Sequence, residues 1–250
     1  ISSTAHMRIV SAILGWRDPG SAFSAAMQLA ALVAVISYFW QDVRRLAVGS
    51  VSAICQRQFA DPELRIAMWI ALATIPILLA GILLSDSLNT CSSPIRALPA
   101  IGWACIAMAA LMALTELLAR HRRSVEDASL VAALLVGLAQ VGALIPGVSR
   151  SGSTLTSALA LGFKREEAAR FSFLLGIPAI ALAGSKELWE LHQANLDMHG
   201  WSILALGLIV ASVSAFVAIW TLMHILERFS TWPFVVYRGL LGILLLVAVS

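Results

Sequence analysis

Residues 146–154 read PGVSRSGST and lie between two of the most apolar stretches of the chain. One arginine, four hydroxyl side chains and two glycines share these nine positions. Arg150 is the centre of the group. A charge at mid-membrane depth costs roughly 2.5–3.5 kcal/mol or more, so its default reading is functional. The plainer alternative is that Arg150 caps the carbonyls of a broken helix. A guanidinium fork makes paired, charge-assisted hydrogen bonds to phosphate. Ser151, Gly152, Ser153 and Thr154 open a helix whose first N–H groups lack intrahelical acceptors, and such an end binds anions. Ser149 precedes it, and Gly147 and Gly152 let the backbone turn and approach a ligand. Ordinary N-capping explains one of these hydroxyls. The group as a whole spells an anion site, best suited to phosphate on a lipid.

A second polar cluster opens the chain, with Ser2, Ser3, Thr4 and His6 ahead of an apolar segment. A histidine titrates near neutrality, so His6 is the natural nucleophile or acid–base group. Ser3, activated by His6, is the alternative nucleophile. Gln140 lies six residues before Pro146 and either holds a water or satisfies the broken helix. His121, His192, His199 and His224 read as solvated, and Glu116 and Arg238 as interface anchors. Cys55, Cys91 and Cys105 share no metal or redox spacing, and Cys105 reads as a small packing residue.

These residues need elements to hold them. Of the 250 residues, 60% are hydrophobic and 12% charged, with net charge +3 and mean hydropathy +0.88. Soluble domains carry about 25% charged residues, so the chain is an all-α polytopic membrane protein and no nucleic-acid partner is expected. Stretches near the ~20 residues a span needs predict about six spanning helices, at 23–40, 66–84, 98–118, 171–189, 201–223 and 234–249. Pro76 and Pro178 fall inside spans, where neighbours can satisfy the freed carbonyls.

Residues 130–163 are too short for two spans and predict a re-entrant helical hairpin. The basic loops agree. Arg44, Arg45, Arg57 and Arg65 lie in 41–65, Arg120, Arg122 and Arg123 in 119–129, and Lys164, Arg165 and Arg170 in 164–170. Placing these loops in the cytoplasm puts 119–129 and 164–170 on one side, as a re-entrant hairpin requires. Residues 2–16, SSTAHMRIVSAILGW, also resemble 149–163, SRSGSTLTSALALGF. Arg17 is then outside and Lys164 inside. This predicts an inverted repeat, 1–118 and 119–250, within one membrane domain over 1–250, with a shared site near the midplane. The abrupt polar start, without a signal peptide, is read as a truncation.

The same residues resemble a known family. PGVSRSGST fits the PGxSRSxxT pattern of bacterial undecaprenyl-diphosphatases, and ISSTAHM resembles the end of that family's first motif. EEAARFSFLLGIPAI and TWPFVVYRGLLG are similar too, so the resemblance covers nearly the whole chain. It implies an inner-membrane enzyme that hydrolyses undecaprenyl diphosphate to undecaprenyl phosphate and inorganic phosphate, recycling the lipid carrier for cell-wall polymers, with its site toward the periplasm. It implies Arg150 as the catalytic residue that binds the diphosphate, with Ser149, Ser151 and Thr154 around it as substrate-binding, and Ser3 and His6 as the catalytic nucleophile or acid–base candidates. The reading of the residues themselves adds Ser2, Thr4, Gln140 and Gly152 as substrate-binding. It also implies a divalent cation, Mg or Ca, whose ligands this chain does not identify, because the family's paired glutamates precede its first residue. A homodimer is admitted. The rival reading is a transporter or flippase of prenyl phosphates, since inverted repeats and midplane anion sites are transporter features.

Overall fold

The computed structural model describes residues 6, 9–10, 14–16, 20–84, 97–193 and 198–249, and the backbone alone at 20–26, 186–188, 190–193, 199 and 248–249. Among them run α1 (Gly20–Tyr38), α2 (Trp40–Cys55), α3 (Pro62–Leu83), α4 (Leu98–Leu118), α5 (Leu130–Val141), α6 (Arg150–Ala160), α7 (Arg165–Gln193), α8 (Met198–Arg228) and α9 (Trp232–Val249). Short 3-10 turns at Val125–Asp127 and Gly142–Leu144 flank α5. The described residues contain no strand, only an isolated bridge between Arg123 and Phe163.

Four segments are long and apolar enough to cross a bilayer: Pro62–Leu83, Leu98–Leu118, Arg165–Ser185 and Gly200–Arg228. Met27–Tyr38, Leu130–Leu144 and Trp232–Val247 are shorter apolar helices. Along α8, Leu206, Ile209, Val213, Val217 and Trp220 are all more than half exposed, a surface that needs lipid around it. The chain is an all-α polytopic membrane protein, and each of the six expected spans falls on a helix. Their ends differ from the hydropathy windows because caps set them. Asp61 accepts the N–H groups of Glu63 (2.9 Å) and Leu64 (3.2 Å), and Pro62 takes the first helical position, so α3 starts before the apolar run. The stretch read as a loop at 41–65 contains α2, a 16-residue helix. It buries Leu46 and Ala53, two turns apart, and exposes Arg44 and Arg45.

The hairpin has the expected form. Helices α5 and α6 have 12 and 11 residues, so each rises about 16–18 Å, roughly half a hydrocarbon core. Their outer ends meet. The N–H groups of Arg122 and Arg123 donate to Gly162 O (2.8 and 2.9 Å), and Lys164 N–H donates to Arg123 O (2.9 Å). The Arg123 guanidinium adds bonds to Leu161 O (3.1 Å) and Asp127 O (2.9 Å). Gly162, at φ +86°, turns the chain back. The hairpin therefore enters and leaves at one end.

Small residues seat the hairpin in the bundle. A Cβ at Gly137 of α5 would collide with Ala73 O of α3, the kind of close approach that glycine permits in membrane helices. Around it Ala73, Ala133, Val136, Ala158, Leu159, Phe163, Phe171 and Leu175 form the buried core. Helices α4 and α9 cross as closely, since a Cβ at Gly242 would lie 2.7 Å from Gly102 O.

Candidate active site

The turn between α5 and α6 is built on two unusual backbone positions. Gly147 has φ +97°, and a Cβ there would lie 2.8 Å from Ile101 O of α4. Ser149 has φ +67°, rare for a residue with a side chain. Such strain costs about 1–3 kcal/mol and clusters at functional sites. Ser149 is the N-cap of α6, its Oγ accepting the Gly152 N–H at 3.2 Å and lying 3.5 Å from Ser151 Oγ.

Two guanidinium groups meet this turn. Arg150 Nη1 donates to Gly176 O of α7 at 2.8 Å. Gly176 makes the room, because a Cβ there would lie 2.9 Å from that nitrogen. Arg238 of α9, 1% exposed, donates from Nη2 to Gly147 O and Val148 O, both at 2.6 Å. Its Nη1 lies where a Cβ on Gly152 would be, and its buried Nε has no hydrogen-bond acceptor. Among the described residues no carboxylate lies within ion-pair distance of either arginine. The reading of Arg238 as an interface anchor is thus corrected. The loop carbonyls, turned out of any helix, need donors, and Arg238 supplies them from the interior. Its signal in the sequence was a charge inside an apolar run, the same one that marked Arg150.

A cavity of about 30 Å³ adjoins the first turn of α6. Ser151, Gly152, Ser172 and Arg238 form its polar wall, and Met112, Leu155, Phe173, Leu222 and Phe234 its apolar wall. Of the loop's hydroxyls, Ser151 faces this space. Ser153 and Thr154 donate to Arg150 O at 3.0 and 2.9 Å. Thr154 is fully buried and also touches the Ser172 hydroxyl, so its hydroxyl is engaged by its own helix and by α7. Gln140 is fully buried, with neither amide atom hydrogen-bonded. An orphaned buried amide marks room for a water or a ligand group. Cys105 packs beneath the turn, its thiol 3.6 Å from Gly147 O.

His6 reaches the same helix as Arg238. Its Nε2 lies 2.6 Å from the Tyr237 hydroxyl, and the two rings are 4° from parallel with centroids 5.8 Å apart. Ser2, Ser3 and Thr4 lie outside the described residues. The structure thus gathers Ser149, Arg150, Ser151 and Gly152 with Arg238 at the tip of the hairpin, and ties His6 to the neighbouring residue of α9.

Glu116 and His121 also differ from the sequence reading. Glu116 is buried, accepting from Arg165 Nε (2.9 Å), Arg165 Nη2 and Thr231 Oγ1 (2.8 Å). His121 is partly buried beside it, with Nδ1 3.3 Å from Phe163 O and Nε2 4.0 Å from Glu116. They form a polar knot joining α4, α7 and the turn before α9. Hydropathy places such residues at a span end but does not reveal what packs over them.

A family profile described as "Bacitracin resistance protein BacA" matches residues 1–244. The chain is 71% identical over 250 residues to "Undecaprenyl-diphosphatase 2" of Mesorhizobium japonicum, covering all of this chain and 95% of that relative. It is 47% identical over 251 residues to an undecaprenyl-diphosphatase of Trichormus variabilis, covering 100% of this chain and 78% of the relative. One from Gloeobacter violaceus is 46% identical over 246 residues, covering 98% and 84%. With a re-entrant PGVSRSGST turn held by two arginines, and a match running almost end to end, the chain belongs to the bacitracin resistance protein BacA family.

Proposed function

We infer that this membrane protein hydrolyses undecaprenyl diphosphate to undecaprenyl phosphate and inorganic phosphate, the activity carried in its relatives' names. The observation that carries the reading at the site is the pair of arginines, Arg150 at the end of the loop and Arg238 reaching it from α9, with no carboxylate at ion-pair distance among the described residues. Uncompensated cations in a low-dielectric setting favour an anion strongly. The relatives' names favour hydrolysis over transport alone.

In the mechanism proposed, the diphosphate docks against Arg150, Ser151 and the first N–H groups of α6. The Ser149 hydroxyl and Gly152 keep that helix end in shape. A nucleophile attacks the terminal phosphorus, the bridging P–O bond breaks, and its electron pair leaves on the lipid monophosphate. In one route Ser3 attacks while His6 takes its proton, or His6 itself attacks, and water then hydrolyses the phosphoryl-enzyme to release inorganic phosphate. In the other, His6 takes the proton of a water that attacks phosphorus directly, and inorganic phosphate forms in one step. Arg150 holds the charge that builds on the phosphoryl oxygens, so catalysis is positioning plus charge stabilisation. Gln140 orients a water.

The divalent cation implied by the resemblance is a separate matter. Among the described residues no three His, Cys, Asp or Glu side chains gather in one place, and the donors around the turn are guanidinium and hydroxyl groups. These residues do not fit a divalent-cation site.

The opening toward the outer side is supported by the basic base of the hairpin. Arg122, Arg123 and Lys164 mark its cytoplasmic end, so its tip points outward. The inverted repeat is supported by Gly15 and Gly162, which both have positive φ (65° and 86°) in matching Leu-Gly-aromatic triplets.

The test is phosphate release from a long-chain prenyl diphosphate in detergent, with Arg150→Ala beside the parent. Turnover that falls about 10²–10³-fold in the variant, at unchanged melting temperature, is the expected result. A parent without turnover would overturn the reading.

A further inference from the structure

Residues 237 and 238 of α9 are neighbours in the chain, and each takes hold of a different part of the site. Arg238 holds the hairpin turn through Gly147 O and Val148 O. Tyr237 meets the Nε2 atom of His6 at 2.6 Å, with the two rings nearly parallel. His6 and the turn lie more than 130 residues apart in sequence, yet one turn of one helix references both.

An imidazole needs such a reference. Its two nitrogens differ, and which one carries the proton follows from the hydrogen bond the other makes. Groups that react must also be held in place by neighbours whose own positions are fixed. Tyr237 is on a helix that is locked by the close crossing with α4 at Gly102 and Gly242. The adjoining Arg238 is buried, so the backbone at this point is anchored on the side facing the hairpin.

We propose that Tyr237 is the positioning residue for His6 in the hydrolysis, engaging Nε2 so that proton transfer with the substrate runs through Nδ1. In this arrangement the Nε2–H donates to the phenol oxygen, and the Nδ1 lone pair takes a proton from the attacking hydroxyl or water. The phenol oxygen still accepts from Nε2–H in the imidazolium that results, so it stabilises the charge as it forms. Tyr237 itself gains and loses no proton. The role rests on the diphosphatase reading above, while the Tyr237–His6 pairing stands on geometry alone.

The experiment is Tyr237→Phe in the full chain, alone and combined with His6→Ala, with two independent readouts. In prenyl diphosphate hydrolysis, Tyr237→Phe is expected to lower kcat about 10-fold with KM within about twofold. In the His6→Ala background it is expected to cost nothing further, because Tyr237 acts through the imidazole. Imidazole ¹⁵N NMR, with the His6 signals assigned from the His6→Ala difference, is expected to show the Nε2–H tautomer in the parent and a mixture in Tyr237→Phe. An unchanged tautomer, or an equal loss of kcat with His6 already removed, would overturn the proposal. A parent that does not hydrolyse the substrate would sink the diphosphatase reading, and the NMR arm would still decide the pairing.

Discussion

Arg150 and Arg238 carry the same group into the same loop and end in different situations. Arg238 donates from Nη2 to two carbonyls, 2.6 Å away each, and is sealed inside. Arg150 is half-buried and spends one nitrogen on Gly176 O. Arg150→Lys keeps the charge but not the planar fork, so it should recover only part of the turnover lost in Arg150→Ala, a difference that steady-state kinetics reads. Gly152→Ala would drive a methyl into Arg238 Nη1. It should cost about 1–3 kcal/mol of stability, seen as a lower melting temperature, and should reduce turnover together with it. The loop was legible in the sequence because charge and hydroxyls interrupt an apolar run. Arg238 was misread because it sits close to the start of its helix, which suggests the interface. Only folding shows that Gly147 and Val148 turn their carbonyls toward it. The orphaned amide of Gln140 was legible as a choice between two roles, and burial without any hydrogen bond favours the water-holding one.

At the scale of elements, the spans were readable from hydropathy, since burying or bathing twenty apolar residues in lipid outweighs local preference. Helix α2 was not, because 16 residues with a mixed face give no such signal. Helix ends were shifted by single caps such as Asp61. What hydropathy omits most is how elements lock together. Glu116 binds Arg165 and Thr231 at once, so Glu116→Gln leaves Arg165 without its counter-charge in a partly buried setting. The expected cost is about 2 kcal/mol, read as a drop in melting temperature with turnover per folded molecule little changed. Gly137→Ala should likewise part α3 from α5, at about 1–3 kcal/mol, because the added methyl meets Ala73 backbone that cannot swing away.

Taken as a whole, the molecule is organised by a hairpin whose two ends are bonded to each other at Arg123, Gly162 and Lys164. In a background cleared of Cys55, Cys91 and Cys105, cysteines at the exposed positions 122 and 164 should react with an impermeant reagent from the same face of the membrane. Labelling from opposite faces would make 130–163 a single crossing and undo the site. The hydrogen bonds that finish the turn carry a further consequence for biosynthesis. Gly147 and Val148 are translated 90 residues or more ahead of Arg238, the side chain that satisfies their carbonyls. During elongation the tip of the hairpin must therefore wait, wetted or chaperoned, while three further helices emerge. The pocket beside the turn is completed only once α9 has been made, so a ribosome stalled before α9 would leave an inserted protein with the tip of its hairpin unmade.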